Sequence, residues 1–215
     1  MQNIIFASIS FVLAAVAFLY GAVKLYKLEK PLYCRSMIAA VGCYLLQELS
    51  SLGSYLSGEF DYNFTAGNIG VFCASCIVIS AEVCLWEEEG KKAGGPLSLI
   101  APAVLVALSV WCFEVLRQDN GILASVFTYV TLIPMLLASF HCSRHLVLAR
   151  SGDNNFAATK WCAIFSLLYF ALTIVYLIVE CYCSQLVINI FYVIVTLSIV
   201  LLTLSTVKGE KKWKI

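Results

Sequence analysis

The chain has 215 residues, of which 61% are hydrophobic and 13% charged, with a formal net charge of +1 and a mean hydropathy of +0.91. Such a balance excludes an ordinary soluble domain, and no nucleic-acid partner is expected of it. What remains is an all-α integral membrane protein, expected as one polytopic domain over residues 1–215.

A helix rises 1.5 Å per residue and needs roughly 20 apolar residues to cross the hydrocarbon layer. Seven stretches satisfy this in chain order: Ile4–Val23, Leu32–Gly53, Ile69–Trp86, Leu97–Leu116, Ile122–Phe140, Trp161–Val179 and Leu186–Val207. The first has no basic residues ahead of it and no small-residue cleavage site, so it reads as a retained helix rather than a signal peptide. Connections between these stretches are short, and the one after the fifth includes a polar segment from Ala149 to Thr159. None has room for a separate catalytic module. Gly94-Gly95-Pro96 breaks the chain before the fourth stretch.

Lysine and arginine near helix ends stay on the cytoplasmic side, so their distribution orients the bundle. With the amino terminus outside, Lys24, Lys27, Lys30, Arg35, Lys91, Lys92, Arg144, Arg150, Lys160, Lys208, Lys211, Lys212 and Lys214 all fall inside, and only Arg117 falls outside. The expected topology is therefore amino terminus out and carboxyl terminus in the cytoplasm, in the plasma (cytoplasmic) membrane. Glu48, Glu59, Asp61, Glu114, Asp119 and Glu180 fall on or near the outer side, as does the Asn63-Phe64-Thr65 sequon.

Polar groups in a bilayer face protein or water, and their spacing marks the interior face of each helix. The second span carries Tyr44, Glu48, Ser51 and Tyr55, and the third Asn68, Ser75 and Glu82 at seven-residue steps. The sixth carries Ser166, Tyr169, Thr173, Tyr176 and Glu180; the seventh carries Gln185, Asn189, Tyr192, Thr196 and Thr203. Tyr44, Glu48, Asn68, Tyr176, Glu180, Gln185, Asn189 and Tyr192 thus form a candidate outward-facing pocket, whose carboxylates and amides suit a small cationic or amphipathic ligand. Against this stands the ordinary alternative that the hydroxyls and amides bond to one another between helices. Glu82, shortly before Glu87, Glu88, Glu89, Lys91 and Lys92, reads as part of a solvated charge run.

Ten cysteines include two close pairs, Cys73/Cys76 in the third span and Cys181/Cys183 between the sixth and seventh. Two dithiols on one side of a membrane are the layout of a thiol-disulfide oxidoreductase, although a chain this rich in cysteine produces such pairs by chance. His141 and His145 stand four apart on one helix face, a spacing that metal sites use. At the cytoplasmic end of a helix, beside Arg144, they fit a basic interfacial cap better.

Absent motifs narrow the choice. Trp86-Glu87-Glu88-Glu89 replaces the acidic-Arg-Tyr triplet of G-protein-coupled receptors, and Asn189-Ile-Phe-Tyr192 lacks the proline of that family's seventh helix. The seventh span holds no lysine for a retinal Schiff base, and two histidines are too few for a membrane zinc hydrolase. No cofactor motif is present, and an enzyme is not the favoured expectation. The leading expectation is a receptor-like ligand-binding module that acts through a cytoplasmic or membrane partner. Its rivals are a small cation or amine transporter or channel component and the thiol oxidoreductase.

Overall fold

The computed structural model describes residues 2–27, 29–57, 66–89, 96–148 and 156–213. Within them the regular structure is entirely helical: α1 (Gln2–Leu25), α2 (Leu32–Ser57), α3 (Ala66–Glu89), a 3-10 turn (Pro96–Leu99), α4 (Ile100–Leu148), α5 (Phe156–Tyr182) and α6 (Gln185–Glu210). The sequon, Glu59, Asp61, Lys91, Lys92 and Arg150 lie outside the described residues.

Six segments are long and apolar enough to cross a membrane, among them Pro96–Gln118, which comprises the 3-10 turn and the first part of α4, and Thr128–Val147 within α4. The second expected span, α2, is not among them. It is long enough, but Arg35, Gln47, Glu48 and its serines dilute its apolar character.

The fourth and fifth expected spans form one run of helical backbone, 49 residues long. Yet the rings of Phe113 and Tyr129 lie 5.3 Å apart edge to face. Sixteen residues of straight helix advance about 24 Å, farther than two aromatic side chains reach across. The run therefore turns back on itself between these two residues.

Around the bundle each helix packs on its chain neighbours, and α6 closes the ring against α1 while also touching α2. The sequence explains which faces meet. In α1 the buried positions are Ala7, Ser10, Ala14, Ala17, Gly21 and Leu25, spaced three or four apart. The opposite stripe, Ile5, Ile9, Val12, Val16, Leu19 and Val23, is exposed along the whole helix. Small residues inward and branched residues outward invert the soluble pattern. In lipid this arrangement is favourable, because association there comes from close backbone packing rather than from burial of oily side chains.

Gly70 makes such a close approach: a Cβ there would sit 2.6 Å from the carbonyl oxygen of Cys43 on α2. At one end of the bundle α1, α2 and α6 are tied by the Lys30–Glu210 ion pair (2.8 Å) and by stacking of Tyr33 on Trp213 (5.9 Å). The bond to Glu210 holds the Lys30 ammonium above its ordinary pKa. This basic end also gathers Lys24, Lys27, Lys208, Lys211 and Lys212, whereas Arg117, paired with Glu114, belongs to the turn in α4.

Candidate functional site

Glu48 lies toward the end of α2 away from the lysines, only 1% exposed. Two hydroxyls of α6 donate to its carboxyl: Tyr192, in a short contact, and Thr196 at 3.2 Å. The four-residue step from Tyr192 to Thr196 puts both hydroxyls on one helix face, and so one carboxyl accepts both. No lysine, arginine or histidine forms an ion pair with Glu48 among the described residues.

The surroundings are aromatic. Tyr176 of α5 packs against Tyr192 with ring centroids 5.7 Å apart. One turn deeper, Tyr44 of α2 and Tyr169 of α5 approach to 4.2 Å, and the Tyr169 hydroxyl donates to Gln47 Oε1 at 3.1 Å. These rings bridge α2 and α5, whose backbones do not come together. Toward the same end, Asn189 donates to Asn3 Oδ1 of α1 at 2.9 Å and accepts from Gln185 at 3.3 Å.

Of the eight residues expected to line a pocket, the structure therefore joins Glu48, Tyr192 and Tyr176, with Tyr44 one turn away. Gln185 and Asn189 form a neighbouring amide chain that ends on Asn3 rather than on Glu48. Asn68 is partly buried on α3, and Glu180 is exposed at the end of α5. Glu48, Tyr44, Asn189 and Tyr192 are buried, so the centre is closed in this conformation. Thr196, Tyr169 and Gln47 complete it. The first two stood in the polar stripes of their helices; Gln47 went unnamed there, although it follows Tyr44 by three residues and precedes Ser51 by four, the spacing of that same α2 face.

The other α6 hydroxyls all bond within their own helix, and two of them also make the interhelical contact expected of them: Ser205 Oγ lies 3.7 Å and Thr206 Oγ1 3.4 Å from the Cys162 thiol of α5. Ser198, Thr203, Ser205 and Thr206 each donate to a carbonyl three or four residues back. This satisfies them within their own helix, as hydroxyls in bilayers commonly are.

Glu82 contradicts the solvated-run expectation: it is 2% exposed and accepts from Tyr33 of α2 at 3.0 Å. The thiol of Cys142 on α4 adjoins it. The seven-residue steps Asn68, Ser75, Glu82 already placed it on the interior face of α3, and that periodicity outweighed its proximity to the charged run. Arg144 and His145 are likewise buried, not spread on a polar surface. His145 Nε2 lies 2.6 Å from Thr159 Oγ1 of α5, so the ring joins two helices. His141 is only partly buried, and among the described residues no group of three metal-ligating side chains forms around either histidine.

The cysteine pairs stay apart. Cys73 and Cys76 are on α3, Cys181 is on α5, and those helices do not pack together. Cys73 and Cys183 are exposed.

By composition and helix length the chain is a multi-pass, membrane-type helical protein with a carboxyl centre inside the bundle. No family model, curated protein or solved structure matches it.

Proposed function

We propose that the chain spans the plasma (cytoplasmic) membrane seven times, amino terminus outside, and acts as a receptor-like module for a small cationic or amphipathic ligand. Three features support the topology: the reversal inside α4, the length of α2, and the lysines gathered at one end. An impermeant maleimide added to intact cells is expected to label Cys183, which this topology puts outside. Protection of Cys183 until the membrane is opened would reverse the orientation.

The observation behind the ligand class is a buried carboxyl, Glu48, whose partners are hydroxyls and not a basic side chain. An ionised carboxylate away from water needs a positive partner, and a cationic ligand supplies one. Tyr192 occupies the carboxyl in the closed conformation, so binding exchanges its hydroxyl for the ligand's ammonium. In this reading the response passes to a cytoplasmic or membrane partner. Screening amines by thermal shift on purified protein is expected to find stabilisers whose effect disappears in Glu48→Gln. Amines that stabilise wild type and variant alike would remove Glu48 from the site.

A specific observation favours a second reading, transport of a cation or amine. Glu82 with Tyr33 forms a second buried carboxyl centre toward the basic end, and the Tyr44–Tyr169 pair stands between the two centres. Flux in reconstituted vesicles separates transport from sensing.

A further inference from the structure

A groove of about 540 Å³ opens on the bundle surface between α5 and α6 at the basic end, a volume typical of small-molecule sites. One wall is aromatic: Trp161 and Phe165 stack along α5 with centroids 6.0 Å apart. The facing wall is Leu201 and Leu204 of α6, both exposed. At the floor Gly209 meets Ala158, where a Cβ would collide with the Ala158 carbonyl, so the helices close tightly beneath an open slot.

The rim has one sign of charge. Lys208, Lys211 and Lys212 border the groove, and none of them forms an ion pair among the described residues. Glu210 is the one acid between Ser205 and Trp213, and Lys30 already holds it at 2.8 Å. Lys160 adds a further cation, 5.8 Å from the Trp161 ring. An apolar slot running along two membrane-type helices into three uncompensated lysines matches an anionic amphiphile, chain in the slot and headgroup at the rim.

We propose that this groove binds one anionic glycerophospholipid, its phosphate held by Lys208, Lys211 and Lys212 and an acyl chain laid between Trp161/Phe165 and Leu201/Leu204. Trp161, exposed beside Lys160, then stands at headgroup level, where tryptophan is enriched in membrane proteins. The leaflet, cytoplasmic under the proposed topology, rests on that reading; the binding site itself does not.

The test uses the full chain in detergent micelles, where bilayer orientation plays no part. Dioleoyl phosphatidylglycerol and dioleoyl phosphatidylcholine are titrated separately, and retained lipid is counted by native mass spectrometry. The expected result is saturable binding of one phosphatidylglycerol per chain, in preference to phosphatidylcholine. Each lysine near an anionic headgroup contributes roughly fivefold in affinity, so Lys208→Gln/Lys211→Gln/Lys212→Gln is expected to weaken phosphatidylglycerol on the order of 100-fold. Leu204→Trp, which fills the slot and keeps the lysines, is expected to weaken both lipids.

Equal retention of the two lipids by wild type would overturn the proposal. So would loss in the lysine variant with none in Leu204→Trp, which would mean adsorption to a charged surface without a groove. A dimer that both variants dissociate would give the groove to a second copy of the chain instead. Labelling of Cys183 from the wrong side would overturn the topology and leave lipid binding standing.

Discussion

Tyr192→Phe is expected to destabilise the protein by about 2–3 kcal/mol, because it removes a hydroxyl donor from a carboxyl that is only 1% exposed. Glu48 then keeps Thr196 alone, in surroundings made of helix faces and aromatic rings. For a chain of this size that corresponds to a melting temperature lower by roughly 4–12 °C in detergent. The sharper expectation concerns the double variant Glu48→Leu/Tyr192→Phe, which should be more stable than Tyr192→Phe. Removing both partners leaves no buried polar group stranded, and Thr196 is already placed to donate to the Tyr192 carbonyl at 3.2 Å. A double-mutant cycle measures the coupling directly. If Tyr192→Phe melts with wild type, the Glu48 centre carries no weight in the fold.

Under the proposed amine binding, a ligand ammonium that replaces the tyrosine hydroxyl recovers what its displacement loses, so Tyr192 is also the residue expected to gate Glu48.

Gly70→Ala should also be costly, about 1–3 kcal/mol from overpacking, and only partly offset by the better helix propensity of alanine. The new Cβ meets the Cys43 carbonyl oxygen at 2.6 Å and the Gln47 amide nitrogen at 3.3 Å. Both are backbone atoms that cannot rotate aside, so α3 must move away from α2. That shift also stretches the Tyr33–Glu82 bond, which crosses the same pair of helices. Gly42→Ala provides the control. Its Cβ would meet the Phe18 ring at 2.8 Å, and a ring edge can turn. Gly42→Ala should therefore melt closer to wild type than Gly70→Ala. Equal losses would show that the α2–α3 distance is not set by Gly70.

The sequence by itself determined the class of protein and most helix positions, because apolar length and the exclusion of charge from hydrocarbon are local properties of the chain. It also determined which face of each helix carries polar groups: Glu48, Tyr192 and Thr196 all stood in such stripes, and so did Glu82. Only the tertiary structure decided which stripes meet. Helical period fixes a direction around one axis but not the rotation of one helix against another, so Asn189 turned to Asn3 and Glu180 to the surface instead of to Glu48. The reversal within α4 was likewise tertiary, marked by Phe113 against Tyr129 while the helical run continued. Charge patterning placed Glu82 and Arg144 among solvated groups, and packing buried them, because neighbouring helices extend past the point where apolar composition ends.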